Sequence, residues 1–90
     1  MFRVTLICHG LTAKSGEEAA RNITDEFTNH RKWHDSVRCE WDGTRLVLKS
    51  ENNFDTNGKA TLDEFSDCIL AYVADPGKFS ISVESVDKFI

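Results

Sequence analysis

The chain has 90 residues, of which 40% are hydrophobic and 29% are charged, and its formal net charge is −4. This length predicts a single domain over residues 1–90 that buries its own core. No apolar run reaches the roughly 18–20 residues of a membrane-spanning helix, and an acidic balance disfavours a nucleic-acid binder. We therefore expect neither a membrane nor a nucleic acid as partner.

The N-terminal segment and the cysteines bear on location. Arg3 interrupts the first apolar segment and no small-residue cleavage pattern follows, so we expect no signal peptide. Three cysteines are an odd number, which favours reduced thiols over a disulfide framework. These features predict a cytoplasmic protein.

The first part of the chain predicts a strand followed by a helix. Apolar and polar residues alternate over 2–8, as in a half-buried strand. Ser15 and Glu18 have the spacing of a capping box, in which each side chain accepts a backbone N–H of the other residue. Apolar residues at helical spacing follow, which predicts a helix over about 16–31.

A β-hairpin is predicted around Asp42-Gly43, which separates two alternating runs. Asp-Gly is typical of a two-residue hairpin turn, because that turn requires positive φ. On the opposite face of this hairpin we expect an ion pair between Glu40 and Arg45. Three pairs share the apolar face in this register: Trp41 with Thr44, Cys39 with Leu46, and Val37 with Leu48.

The last part predicts a second helix and a fourth strand. Thr61 and Glu64 repeat the capping-box spacing, and the apolar stripe that follows ends before Pro76-Gly77. Residues 79–83 alternate as a strand. The alternation slips near Ser85-Val86, which indicates a bulge or a separate short element.

The element order is strand, helix, strand, strand, helix, strand. It is typical of the ferredoxin-like β-α-β-β-α-β sandwich, an α+β fold. It predicts a four-stranded antiparallel sheet in the order 4-1-3-2 with two helices on one face. This fold carries many unrelated functions, so it predicts none by itself.

A polar segment over 53–64 has a distinctive spacing. Its third, fifth, sixth and twelfth residues are Asp55, Asn57, Gly58 and Glu64. This spacing resembles the calcium loop of the EF-hand family, which implies calcium ligands at Asn53, Asp55, Asn57 and Glu64. The first position holds Asn instead of Asp, and a strand instead of a helix is expected before it. The alternative is a polar turn, and we expect no other cofactor.

Histidines and cysteines occur at spacings that metal sites use. His30 and His34 are four residues apart, and Cys39 follows closely. The chain has no Cys-x-x-Cys pair, however, and its cysteines fall on apolar faces, where Cys behaves as a small hydrophobe. We therefore expect buried thiols and an exposed pair of histidines.

Lys14, Ser15 and Gly16 lead into the predicted first helix. The free N–H groups and the dipole of a helix N-terminus favour an anion. The spacing of a phosphate-binding P-loop is absent. A phosphate or carboxylate site is therefore one interpretation of this segment, and a plain capped loop is the other.

The alternation places one set of side chains on the sheet face that points away from the helices. We expect an excess of bases there, opposed by Glu40 and Glu84 alone. Mixed cationic and apolar surfaces are typical of docking sites, whereas solvated strands carry cross-strand ion pairs without a partner. The predicted partner-binding residues are Arg3, Arg38, Arg45, Lys49, Ile7 and Val47.

These features favour a small non-catalytic interaction module that binds a protein partner or forms a homodimer through that basic face. No acid, base and nucleophile converge, so no catalytic residue is predicted. Two alternatives stay open. One is a dimeric ferredoxin-like barrel that binds or converts a small molecule, with His9, Arg38 or Trp41 at the pocket. The other is a calcium-responsive binder.

Overall fold

The computed structural model describes residues 1–73 and 79–89. Its elements in chain order are β1 (Phe2–His9), α1 (Ala13–His30), β2 (Ser36–Trp41), β3 (Leu46–Asn52), α2 (Lys59–Tyr72) and β4 (Ser80–Lys88). The strands form one antiparallel sheet in the order β2-β3-β1-β4. Read from the opposite edge this order is 4-1-3-2, so the predicted α+β class and strand order are confirmed.

Alternate residues of the strands pack with both helices in one buried core. Core members include Val4, Leu6 and Cys8 of β1, Leu46 and Leu48 of β3, Ile23 and Phe27 of α1, and Phe65 and Ile69 of α2. Ile7 is buried but lies outside this cluster, because successive side chains of a strand point to opposite faces. The predicted division of residues between the two faces is therefore confirmed.

Helix α1 begins at Ala13, one turn earlier than predicted, and the capping box at Ser15 is wrong. Thr12 caps the helix instead, and its Oγ1 accepts the N–H of Ser15 at 3.2 Å. The earlier start places Gly16 inside the helix, against the indole of Trp41. A Cβ at Gly16 would lie 2.1 Å from that ring, so the close contact requires glycine.

Helix α2 begins at Lys59, and the predicted cap at Thr61 is also wrong. Gly58 precedes the helix at φ 80°, in the left-handed region that favours glycine. The buried carboxylate of Asp55 accepts the N–H of Thr61 at 2.8 Å and also contacts its hydroxyl. Asp55 therefore provides the hydrogen-bond acceptor at the start of the helix, and Thr61 donates to it.

The predicted hairpin is present, with Gly43 at φ 104°, but its register is wrong by two residues. The loop is longer because Asp42 organises it: its Oδ1 accepts the N–H groups of Thr44 at 3.0 Å and Arg45 at 2.7 Å. A two-residue shift keeps every side chain on its face. The observed pairs are Trp41 with Leu46, Cys39 with Leu48, Val37 with Ser50, and Glu40 with Val47.

The irregularity expected in the last strand is a bulge. The register against β1 changes between two pairs: Thr5 lies opposite Ser85, whereas Leu6 lies opposite Val83. Glu84 is therefore the extra residue, and the strand continues without a break to Lys88.

Helix α2 ends at Tyr72, and the N–H of Val73 donates to the carbonyl of Ile69 at 3.0 Å. The predicted stop signal at Pro76-Gly77 lies outside the described residues. Within the described ranges, neither helix combines the length and the apolar character needed to cross a bilayer.

Candidate functional site

The open face of the sheet carries the predicted bases, but the expected excess of positive charge is wrong. Three arginines there pair with carboxylates at nitrogen–oxygen distances of 2.7, 2.6 and 2.9 Å: Arg3 with Glu51, Arg38 with Glu40, and Arg45 with Asp42. The prediction failed because it left out the ends of β3 and β4, which reach Asn52 and Lys88. Their extensions add Glu51 and Asp87 to this face, on either side of Arg3.

The same face does not present the predicted apolar surface either. Ile7 is 3% exposed, and Val47 is half-buried beside it. Lys49 is exposed. A partner approaching this face therefore meets charged groups, most of which are already paired within the chain. Docking through it stays a prediction.

The segment proposed to bind an anion forms the first turn of α1. The N–H of Ser15 donates to Thr12 Oγ1, and the N–H of Gly16 donates to the Thr12 carbonyl at 2.8 Å. The N–H groups of Ser15 and Gly16 therefore already have partners, while Lys14 is exposed. The plain capped loop accounts for this geometry.

The residues of the calcium prediction have other partners in this structure. Asn57 Oδ1 accepts the N–H of Lys59 at 3.0 Å, and Asn53 is exposed. Asp55 holds the start of α2, and Glu64 points to a different cluster. Over the described residues no three His, Cys, Asp or Glu side chains are grouped to hold a metal ion. Calcium binding stays a prediction.

The residues of the barrel-enzyme alternative do not share a pocket within the chain. Trp41 packs on Gly16 of α1, on the helix side of the sheet. Arg38 lies on the opposite face, where it pairs with Glu40. His9 is exposed at the end of β1.

The three thiols are free and buried, as expected. Burial raises the pKa of Cys8 to about 11 and that of Cys68 to about 11, and it also raises the pKa of Cys39. A thiol is nucleophilic as the thiolate, so these side chains are poor nucleophiles at neutral pH.

An unexpected cluster surrounds His34, where the connection from α1 to β2 passes the end of β3. The expectation of an exposed histidine is wrong, because this side chain is fully buried. The connection is held there by the N–H of Asp35, which donates to the Glu51 carbonyl at 2.7 Å. His34 Nε2 lies 2.6 Å from Glu64 Oε2, and its Nδ1 lies 3.3 Å from Asn52 Nδ2.

The hydrogen bonds of Asn52 determine the tautomer of His34. Asn52 Oδ1 accepts the N–H groups of Phe54 at 3.2 Å and Asp55 at 2.8 Å, so its amide Nδ2 faces the imidazole. His34 Nδ1 must then accept, and the ring proton lies on Nε2 and is donated to Glu64. The imidazole is neutral in this arrangement, and the carboxylate of Glu64 keeps its negative charge.

Two exposed aromatic side chains cover this cluster, and we call Trp33 and Phe54 the aromatic patch. They are 51% and 43% exposed. Their ring centroids lie 6.2 and 5.7 Å from that of His34, while Phe27 packs on the same imidazole at 5.2 Å. The indole Nε1 of Trp33 donates to Glu64 Oε1 at 2.7 Å, so one carboxylate orients both Trp33 and His34.

A cavity of about 150 Å³ opens beside His34. Its lining includes the rings of Phe27 and His34, the hydroxyl residues Thr28 and Ser36, and Lys32. Both imidazole nitrogens already have partners within the chain. The histidine therefore shapes this cavity without offering a free nitrogen to a ligand.

Sequence reasoning missed the aromatic patch because neither residue belongs to an apolar stripe. Trp33 follows Arg31-Lys32, and Phe54 stands among asparagines and Asp55. A large aromatic residue in a strongly polar segment is itself a usable signal, because such a side chain has no obvious route into the core.

The class that fold and site define is a small α+β protein with an open antiparallel sheet, two helices and an aromatic patch over a buried histidine. Comparison with protein-family models, curated proteins and solved structures finds no match. Function is therefore inferred from the geometry.

Proposed function

We propose that the chain is a small non-catalytic protein-interaction module with the ferredoxin-like sandwich fold, and that it docks through the aromatic patch. One observation carries the proposal. Trp33 is 51% exposed, yet its indole is held in place by a 2.7 Å hydrogen bond to Glu64.

An exposed tryptophan in a fixed orientation is suited to binding. Tryptophan is enriched among the residues that contribute most to interface affinity, because its large ring excludes water from a wide area. Ordering a side chain on binding costs about 0.5–1.5 kcal/mol. The bond to Glu64 and the packing against His34 impose that order before a partner arrives.

The open sheet face is less suited to the same role. Its arginines already have carboxylate partners, so a protein docking there must replace existing ion pairs before it forms new ones. The proposal also includes a cytoplasmic location, which the three free cysteines support.

Affinity capture with matched surface variants tests the proposal. Immobilised wild-type chain should retain a set of proteins from a cell extract, and Trp33→Ala and Phe54→Ala should each lose the same subset. Leu70→Ala is the matched control, because Leu70 is 60% exposed and lies on α2 outside the patch. Circular dichroism establishes that each variant is folded.

Two outcomes would contradict the proposal. If both aromatic variants capture the same proteins as the wild-type chain, the patch is not the docking surface. If Arg38→Glu/Arg45→Glu loses the bound proteins instead, the open sheet face is the docking surface.

A further inference from the structure

We propose that the aromatic patch receives an arginine or lysine side chain from a partner protein, with the carboxylate of Glu64 as its counter-charge. This inference rests on the proposed function and specifies the chemistry of the partner.

Glu64 offers an acceptor for a positively charged side chain. Its two oxygens accept from the indole of Trp33 and from the neutral imidazole of His34. Both donors are uncharged, so the hydrogen bonds hold the carboxylate without cancelling its charge. The Glu64 side chain is 16% exposed, so much of the negative charge lies in a partly desolvated place directly beneath the patch. Attraction of a cation is stronger there than at a fully solvated carboxylate.

The aromatic rings of the patch are suited to contact a cation. A cation within about 6 Å of a ring centroid is attracted by the π face, and tryptophan is the best acceptor. Two such contacts occur among the described residues: the Arg3 guanidinium lies 4.7 Å from the Phe89 centroid, and that of Arg31 lies 5.7 Å from the Phe27 centroid. Within residues 1–73 and 79–89, no such contact occurs at Trp33 or Phe54. Their faces are therefore open to a cation from outside.

The surface around the patch carries more acidic than basic side chains. Exposed Asp63 and Asp67 flank Glu64 on α2, and neither forms an ion pair with the described part of the chain. The single base of that helix is Lys59, at its first residue. Lys32 precedes Trp33 and lines the cavity beside His34. The balance around the patch is acidic, which favours a basic partner segment over an acidic one.

Selection of peptides tests this chemistry separately from docking. Displayed random twelve-residue peptides are selected on the wild-type chain and counter-selected on Trp33→Ala. We expect the surviving peptides to contain arginine or lysine at a recurrent position. Survivors without any base would overturn the cation inference and leave the proposed docking intact. Failure to obtain peptides that depend on Trp33 would count against both.

A second experiment changes the charge without changing the protein. In the best selected peptide the recurrent arginine is replaced by citrulline, which has nearly the same shape but no charge. We expect the dissociation constant, measured by calorimetry, to rise at least about tenfold, which corresponds to 1.4 kcal/mol. Equal binding of the two peptides would overturn the inference.

The corresponding protein variant is Glu64→Gln, which removes the charge and keeps one oxygen to accept from the indole of Trp33, while its amide NH2 replaces the oxygen that accepts from His34 Nε2. The citrulline peptide reports any loss of binding that this changed contact causes by itself. The dissociation constant of the arginine peptide should again rise about tenfold, while the citrulline peptide binds the variant and the wild-type chain alike. Asp87→Asn is the control, because it removes an exposed carboxylate from the open sheet face and should leave both constants unchanged. A similar loss with Asp87→Asn would mean that the overall charge, not the patch, attracts the peptide.

Discussion

The open sheet face and the aromatic patch both contain carboxylates near the surface, but they use them differently. On the sheet face, carboxylates pair with arginines of the same strand, of a neighbouring strand or of the hairpin loop, as between Arg38 and Glu40 at 2.6 Å. At the patch, Glu64 accepts from two uncharged donors, Trp33 and His34. Exposed ion pairs contribute little to stability and leave little charge for a partner. A carboxylate held by neutral donors stabilises the local structure and keeps its charge.

Residues of the buried cluster around His34 should therefore contribute far more to the free energy of unfolding than residues of the open sheet face. His34→Ala removes packing against Phe27 and leaves Asn52 Nδ2 without its partner. We expect the free energy of unfolding, measured with urea, to fall by about 2–4 kcal/mol. Arg38→Ala, the sheet-face control, should change it by no more than about 0.5 kcal/mol. Equal effects of the two substitutions would remove the distinction between the regions.

Asp55 and Asp87 allow the same test with one residue type. Asp55→Ala leaves the N–H and hydroxyl of Thr61 without an acceptor inside the protein, and we expect a loss of about 1–3 kcal/mol. Asp87→Ala removes an exposed carboxylate and should lie within about 0.5 kcal/mol of the wild-type chain. Chemical unfolding of both variants measures the difference. A small effect of Asp55→Ala would mean that the start of α2 does not depend on this carboxylate.

The pH dependence of the hairpin loop is a further test. Hydrogen bonds from Thr44 and Arg45 hold the pKa of Asp42 well below its usual value of 3.8. Since the folded pKa is depressed, the stabilisation from the charged form is complete above that value and is lost as the pH falls through the folded pKa. Asp42→Asn keeps an acceptor oxygen but has no charge.

The wild-type chain should therefore exceed Asp42→Asn in urea midpoint near neutral pH. The gap should narrow as the pH is lowered below about 4. NMR titration of the Asp42 carboxyl provides an independent measurement. A gap that does not change with pH, or titration at the ordinary value, would contradict the stated role of these hydrogen bonds.

The smallest effects are expected from Arg38→Glu/Arg45→Glu. Because the proposed docking surface is the aromatic patch and not the open sheet face, we expect neither the sedimentation coefficient nor peptide binding at the patch to change. If the wild-type chain sediments as a dimer and the doubly substituted chain as a monomer, the result would instead support the sheet-face interaction predicted from the pattern of bases.

Local sequence patterns predicted the order of the helices and strands well, but they predicted the strand register and the ion pairs less well. Interrupted alternation predicted an irregularity near Ser85-Val86, which is the bulge at Glu84, and turn chemistry predicted the positive φ of Gly43. The hairpin register did not, because Asp-Gly also fits a longer loop in which Asp42 binds the N–H groups of Thr44 and Arg45. The charge of the sheet face could not be predicted for a related reason. Pairing with neighbouring strands determines where a strand ends, and the strand ends carry the additional carboxylates.

Side-chain alternation is a property of consecutive residues, because the geometry of an extended backbone points successive side chains to opposite faces. The amino-acid sequence alone was therefore enough to assign Leu6 and Ile7 to different faces of the sheet. The cluster of Trp33, His34 and Glu64 joins residues about thirty positions apart. Their meeting depends on the path of the connections and on the packing of α2, neither of which is encoded in any short stretch of the chain.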